Sequence, residues 1–447
     1  MPTPADKPVM TIMGAGLSGA LLAARLADLG YRVDLYERRP DPREAGADSG
    51  RSINLALSTR GLAALHEIGL ENDVMRLAIP MRGRMIHPVE GPLAYQQYGV
   101  TGTEAINSIS RSGLNMALLD AAGRRPGVRI LFNQRCVNVD FDKKVAEVQD
   151  ESTRETRAVP YEVLLGADGA FSAVRSAMQR RDRFNYDQSY LTHAYKELSI
   201  PPAPQGGHRL EKHALHIWPR RSYMMIALPN LDGSFTCTLF APYDGPDGFN
   251  AIATDDDIRA YFRKRFPDAL EHMPTLVEDF RANPTSSLAT IRCFPWRIGG
   301  SAVLLGDAAH AVVPFYGQGM NASFEDVSVL ADCLQRHPDT EGAFAEYETL
   351  RKPNADAIAQ LALDNFIEMR DHAGSPAFRR RKKLENFVAR RFPKRYTPLY
   401  TMVSFTTIPY AEAVAKARAQ DRAVRAAIIT LAFLALALLI TLALILT

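Results

Sequence analysis

The chain has 447 residues, 47% of them apolar and 23% charged, with a formal net charge of +3. That length holds two or three hydrophobic cores, the composition is that of an ordinary globular protein, and the charge offers no case for nucleic-acid binding. The four cysteines, Cys136, Cys237, Cys293 and Cys333, are widely spaced in apolar surroundings with no CxxC or Cys/His ligand spacing, which argues against disulfides and zinc and for a reducing compartment.

A short polar lead with no signal-peptide pattern runs into an apolar strand, Val9 to Met13. Gly14-Ala15-Gly16-Leu17-Ser18-Gly19 follows and opens the helical pattern Leu21, Leu22, Leu26, Leu29; Tyr31 to Glu37 then alternates like a strand and ends in an acid. A GxGxxG alone is weak evidence. With strand, helix and terminal Glu37 the dinucleotide fingerprint is complete: glycines for the turn and close backbone approach, a helix N-terminus for pyrophosphate, a carboxylate for a ribose hydroxyl. Arg111 stands at the start of another helical pattern, where a pyrophosphate could lie.

Val163-Leu164-Leu165-Gly166-Ala167-Asp168-Gly169 reads as a strand and turn, followed by Ser172 as a helix N-cap and a helix with Arg175. This is either a third cofactor-binding unit or a routine strand-to-helix connection. Tyr223 to Leu228 and Phe235 to Phe240 are strand-like runs separated by the turn Asn230-Leu231-Asp232-Gly233. A further apolar strand, Ala302 to Leu305, ends in Gly306-Asp307-Ala308-Ala309-His310, and the Gly317-Gln318-Gly319 turn leads through Met320-Asn321 into a helical pattern at Phe324, Val327 and Leu330. Such a helix start, under the pyrimidine edge of a flavin, would stabilise the charge gained on reduction. A nicotinamide dinucleotide has no need of this second motif, whereas FAD does. His310 reads as a structural residue rather than a general base, and neither a GxSxG elbow nor an HExxH motif is present.

Residues 346–425 are helical by composition. Arg379-Arg380-Arg381-Lys382-Lys383 and Arg390-Arg391 are interleaved with Leu384, Phe387, Val388 and Phe392, which fits a solvated helix face or attraction to acidic lipid headgroups. From Ala426 to Thr447 there is no charge, a length that matches a hydrocarbon core of roughly 30 Å. Lys416, Arg418, Arg422 and Arg425 precede this run, so the bulk of the protein is expected on the cytoplasmic side of a single-pass C-terminal anchor. The predicted fold is α/β: a discontinuous Rossmann-type FAD-binding domain (1–75, 101–185 and 292–345), an inserted antiparallel β-sheet substrate domain (76–100 and 186–291), a C-terminal helical region (346–425) and one transmembrane helix (426–447). With no second GxGxxG, a nicotinamide donor would bind transiently.

The motifs at Gly14, Asp168 and Asp307, in this order, resemble the single-component FAD-dependent aromatic hydroxylases of the para-hydroxybenzoate hydroxylase fold, whose DG motif matches Asp168 to Arg175. More narrowly, nearly the whole chain resembles the kynurenine 3-monooxygenase family, through Gly50 to Ser58, Ile79 to His87, Leu215 to Arg220, Tyr223 to Asn230, Ser234 to Phe240, Asn365 to Arg370 and Pro398 to Val403. The resemblance implies hydroxylation of L-kynurenine at ring carbon 3 to 3-hydroxykynurenine, with FAD as cofactor and NADPH and O2 as co-substrates. It also implies a substrate site of Arg84, Tyr98, Asn365 and Tyr400, with the chemistry left to the flavin and no catalytic side chain. FAD contacts are implied at Gly14, Gly16, Leu17, Gly19, Glu37, Arg38, Ala56, Arg111, Cys136, Asp168, Asp307, Gly319, Met320 and Asn321. Two departures from the pattern stand out: Ser112-Gly113 replaces the acid and amide that usually follow the arginine, which leaves the helix start there open, and Tyr316 replaces the usual Phe.

Oxygen insertion into a ring needs a reduced flavin, a dry pocket around the oxygenated flavin and a handle for the ring. An amino-acid substrate carries a carboxylate, for which a bidentate cation is the natural handle, and Arg84 suits that role. The competing readings are a membrane-bound FAD-dependent hydroxylase or epoxidase of another substrate, which would have little use for such a clamp, and a non-catalytic redox sensor, which would not turn over NADPH.

Overall fold

A computed structural model gives the architecture of residues 7–44, 54–99, 102–368, 385, 387–393 and 395–446. The basic run 379–383, Leu384, and residues 50–53, 369 and 370 of the resembling segments lie outside these. Three strands carrying the sequence motifs are neighbours in one six-stranded sheet, ordered Arg297–Ile298, Ala302–Leu304, Val163–Gly166, Met10–Met13, Val33–Tyr36 and Val128–Leu131. All pairs are parallel except the first. The three motif strands are buried along their whole length, packed in one core with helical residues such as Leu22 and Phe324 and with Val139, Ala146 and Val148 of the three-stranded sheet formed by residues 134–160. Their shared direction brings the turns at Gly14, Asp168 and Asp307 to the same carboxyl edge, so the Asp168 unit is no isolated connection.

The helix Leu17–Asp28 buries seven residues from Gly19 to Leu26. It ends where Gly30, at φ +81°, lets the chain turn back onto the carbonyls of Leu26 and Ala27. The helix Arg111–Gly123 does start at Arg111 despite the Ser-Gly departure: Ser110 Oγ accepts the Gly113 N–H at 3.3 Å and lies 2.9 Å from Ser112 Oγ. Ser172 caps the helix Ala173–Met178 as the sequence suggests.

Strands Asn54–Leu57, Ile106–Ser110 and Ala78–Met81 form a small antiparallel sheet, from which the chain enters a seven-stranded one at Gly83. That larger sheet runs Ser286–Phe294, Asn185–Ile200, Phe235–Pro242, Met224–Pro229, Ala214–Pro219, Gly83–Ile86, Ala94–Gln97. The expected antiparallel sheet is mixed, because Gly83–Ile86 pairs parallel to Ala214–Pro219. The hairpin 83–97 leaves the neighbouring sheet already running in that direction. On its outer face Trp218, Phe235, Phe262 and Phe266 make a second core under the helix Asp255–Arg265, which starts with a Thr254/Asp257 capping box.

The helix Gly319–Arg336 carries Asp326, which is fully buried and accepts three hydrogen bonds: from Gly306 N–H at 2.9 Å, His310 Nε2 at 2.6 Å and Arg351 Nε at 2.7 Å. His310 is thus structural. Burial alone would raise the Asp326 pKa, but His310 and Arg351 hold it below the usual carboxylate range.

Helices Thr340–Ile367 and Leu399–Phe405 lead to Tyr410–Leu446, a single helix of 37 residues that begins well before the apolar run. Its base packs on Ile358, Leu361, Met402 and Val403. From residue 426 to 446 every residue is exposed, over a length of roughly 30 Å that fits a bilayer core.

Asp326→Asn should lower unfolding free energy by about 3–5 kcal/mol near neutral pH, since it breaks a buried ion pair on one side only. Because the folded-state pKa is depressed, the wild-type advantage should shrink as pH falls below about 4. Paired denaturant titrations of the two proteins across pH check both statements.

Candidate active site

The edge of the six-stranded sheet is shaped for a phosphate-bearing ligand. Gly14 sits at φ +98°, and a Cβ there would lie 2.5 Å from the Ala167 carbonyl oxygen. Gly19 passes so close to the Gly14 carbonyl that any side chain would collide with it. Gly16, by contrast, faces open space. No side chain caps the helix that begins at Leu17, which leaves its first-turn N–H groups for an anion. Glu37 is buried at the end of its strand, with Oε2 accepting the Ala15 N–H at 2.9 Å and Oε1 accepting Arg39 Nε–H at 2.8 Å. Lone pairs remain for a ribose hydroxyl. Arg38 beside it is exposed.

Asp168 Oδ2 accepts the N–H groups of Ala173 and Val174 at 2.7 and 3.2 Å, while Oδ1 is buried with no hydrogen-bond partner among the described residues. Cys136 lies nearby, half-buried; burial first, and the Asp168 charge second, push its thiol up to about 12. It stays a neutral thiol.

At the other end of this edge Asp307 is exposed to solvent although surrounding protein is dense enough to raise its pKa by desolvation, which places it at the bottom of a deep cleft. Arg111, also exposed, supplies the largest opposing charge. Gly317 turns the chain at φ +68° beside Ala56, and the helix from Gly319 has no side-chain cap either. Gly319 and Met320 are partly open in its first turn. Asn321 is fully buried and acts as a fastener: Oδ1 accepts Ser58 N–H at 2.9 Å, and Nδ2 donates to the Ala56 and Gly317 carbonyls at 2.8 and 3.0 Å. Two uncapped helix starts, one at each end of the edge, with a carboxylate beside each and an unpaired Asp168 oxygen between, fit FAD.

Between this edge and the seven-stranded sheet lies an aromatic pocket. The Arg84 guanidinium sits 4.6 Å from the Tyr400 ring centre and 5.4 Å from that of Tyr98. Tyr98 and Tyr400 stack at 5.7 Å, and Tyr316 lies 5.7 Å from Tyr400. Arg84 Nε and the Tyr98 hydroxyl are buried without a hydrogen-bond partner among the described residues. Buried donors of this kind are costly unless a ligand completes them. Asn365 adjoins, its Nδ2 donating to the Phe315 carbonyl at 2.7 Å, and Phe315 stacks on Phe366 at 4.2 Å and meets Phe240 at 4.9 Å. These rings form an apolar wall.

The residues that hold the Arg84 strand form no motif in the sequence. His87 Nδ1 lies 2.6 Å from Asp268 Oδ2, His87 Nε2 lies 2.8 Å from His216 Nδ1, and His216 Nε2 lies 2.9 Å from the Glu211 carbonyl. Only donors can face a carboxylate and a carbonyl, so His87 Nδ1 and His216 Nε2 both carry protons. Burial holds His216 down at about 4, and the His87 ring beside it stacks on Trp218 at 4.0 Å. Because Met85 pairs with His216 in the parallel register, the chain fastens the strand that presents Arg84. Nothing local to His87 signals this, since its partners come from distant segments.

His216 keeps its ring neutral, so its contribution to stability is fully present above about 6.5 and is lost as pH falls towards 4. Wild type should therefore lose up to roughly 3 kcal/mol relative to His216→Asn across that window. Urea unfolding at stepped pH reads the difference, and parallel profiles for the two proteins would contradict the assignment.

Residues 6–362 match the family described as FAD binding domain. The chain is 50% identical over 406 residues to the kynurenine 3-monooxygenase of Myxococcus xanthus, which covers 91% of this chain and 88% of that protein. It is 49% identical over 411 residues to the kynurenine 3-monooxygenase of Stenotrophomonas maltophilia, covering 92% and 90%. Among solved structures, a tetrameric form of 2-methyl-3-hydroxypyridine-5-carboxylic acid oxygenase superposes with a TM-score of 0.68 at 21% identity, over 88% of this chain and 98% of that one. Pseudomonas aeruginosa PqsL, in complex with 2-aminobenzoylacetate, gives 0.65 at 22% identity, over 81% and 97%. At such identity these structures speak for the fold alone. With a family match over most of its length and relatives near 50% identity, the chain belongs to the FAD binding domain family and, within it, to the kynurenine 3-monooxygenases.

Proposed function

We propose that the protein hydroxylates L-kynurenine at ring carbon 3, yielding 3-hydroxykynurenine at the expense of NADPH and O2. The observation that carries this reading is Arg84, whose buried Nε, like the neighbouring Tyr98 hydroxyl, has no hydrogen-bond partner among the described residues, in an aromatic pocket. Bound FAD supplies the oxygen-activating chemistry. Glu37 and Arg38 would hold its adenosine end, the helix starts at Leu17 and Arg111 its pyrophosphate, and Asp168, Asp307 and the Gly319–Asn321 turn the rest.

Arg84 pairs with the α-carboxylate of the amino acid, and Tyr98 and Tyr400 flank that pair with their hydroxyls. Asn365 supports the Phe315 carbonyl and so fixes the turn at Pro314–Tyr316. Phe240, Phe315 and Phe366 keep water from the ring. With no second GxGxxG in the sequence, NADPH visits transiently. The apolar half of the helix Tyr410–Leu446 spans a membrane, with Arg422 and Arg425 holding the catalytic body on the cytoplasmic side.

Arg84→Met should leave the flavin absorption spectrum and FAD content near wild type and weaken kynurenine binding by roughly two to four powers of ten, the cost of stranding a buried charge. Spectral titration with L-kynurenine measures this, and residual NADPH oxidation should release more hydrogen peroxide per hydroxylated product. Wild-type affinity and coupling in the variant would remove Arg84 as the clamp and favour a substrate without a carboxylate.

Asp307→Ala removes a charged hydrogen bond of roughly 1.5–3 kcal/mol to the ribitol end, and FAD affinity should fall about ten- to hundredfold. Glu37→Ala acts at the adenosine end of the same cofactor and should also weaken it. FAD titration of the apoproteins tests both; unchanged affinity in the two variants would rule out this placement.

A further inference from the structure

The segment before the last two helices is fastened to the tail at a defined height. Residues 387–391 are helical, and the Phe392 and Tyr396 N–H groups continue the winding onto the Val388 and Phe392 carbonyls. Tyr396 Oη donates to Asp421 Oδ1 at 3.3 Å, and the Thr397 N–H donates to Gln420 Oε1 at 2.9 Å. The turn is two-faced. Ala389 and Tyr396 are buried against the body, whereas Phe387 is 64% and Phe392 48% exposed, with Arg390, Arg391 and Arg395 exposed beside them. The Arg391 guanidinium lies 5.3 Å from the Phe392 ring centre.

Asp421 precedes the first residue of the uncharged run, Ala426, by five residues, about 7.5 Å along a helix. The headgroup layer on each side of a bilayer is about 5–7 Å deep. A segment tied to residues 420 and 421 therefore lies at the outer margin of the headgroups once the tail is inserted. Exposed aromatic rings among arginines are matched to that layer, where rings reach the acyl boundary and guanidinium groups meet phosphates. On the tail itself Arg422 and Arg425 are exposed at the same level.

We infer that residues 387–393, 395 and 396 form a second, interfacial contact with an anionic lipid surface, so that the body is held against the membrane at two points rather than swinging on its tail. This rests on the tail spanning a membrane, and the test separates the two. The native tryptophans, Trp218 and Trp296, are 0% and 1% exposed and so out of reach of lipid bromines; the difference from the wild-type emission reports the introduced tryptophan. Full-length, FAD-loaded Phe392→Trp and Leu436→Trp are reconstituted in phosphatidylcholine vesicles containing phosphatidylglycerol, with lipids brominated either near the headgroup or deep in the chains. Trp at 392 should be blue-shifted and quenched at least twofold more by shallow than by deep bromines, and Trp at 436 the reverse. Adding Arg390→Glu and Arg391→Glu should abolish quenching at 392 and leave that at 436. Water-like, unquenched emission at 392 with deep quenching at 436 would overturn the interfacial contact while the tail reading stands; no quenching at 436 would overturn both. Phe387→Trp repeats the measurement at a second exposed site.

Discussion

A fully buried carboxylate, Asp326, is the constraint on which the flavin end of the molecule depends. A charge without solvent is tolerated only when paired and hydrogen-bonded, and Asp326 meets this by taking three donors from two segments, the turn 306–310 and the helix Thr340–Ile367. One is the Gly306 N–H, immediately before Asp307. The position of the cleft carboxylate is therefore tied to the helix Gly319–Arg336, whose first turn faces the same cleft. The second donor, His310, closes the loop after Asp307, and the third, Arg351, ties in the long helix Thr340–Ile367.

The ionic chain does not stop there. Arg351 Nη1 also pairs with Glu325 at 2.7 Å, and Glu325 with Arg60 at 2.7 Å. Arg60, itself buried, donates to the Val403 and Ile408 carbonyls and lies 4.0 Å from the Tyr410 ring centre. Tyr410 in turn donates to Gln318 Oε1 at 3.0 Å, in the turn before Gly319. The base of the C-terminal helix and the flavin-side turn are thus members of one polar network. A protein organised in this way presents its tail in a fixed direction relative to its cleft.

Much of the parallel sheet was legible in the sequence because apolar strands followed by Gly-rich turns leave a local trace at Gly14, Asp168 and Asp307. The side-by-side order of those strands was not, since it is set by crossovers. Ser110 shows how a cap can be overlooked: the departure at Ser112-Gly113 drew attention, yet the residue before Arg111 supplies the capping oxygen. The substrate corner was legible only through family resemblance. Arg84 and Tyr98 come from one hairpin and Tyr400 from a helix near the other end of the chain, and no periodicity connects them. The same holds for His87, His216 and Asp268, whose roles exist only as a set. A mixed rather than antiparallel large sheet follows from the direction in which the hairpin 83–97 enters, which strand propensity does not encode.

Arg84 draws these threads together. It stands on a strand fastened by the His87–His216 pair, faces rings from both the large sheet and the C-terminal helices, and has a donor that no described residue of the protein satisfies. We propose that this corner takes the carboxylate of kynurenine and offers its ring for oxygen insertion. The direct measurement is product analysis by mass spectrometry and NMR after incubating the purified, FAD-loaded protein with NADPH, 18O2 and L-kynurenine. The account predicts a single product, 3-hydroxykynurenine, carrying one 18O atom on ring carbon 3. NADPH oxidation that kynurenine does not stimulate, with no labelled product, would contradict it.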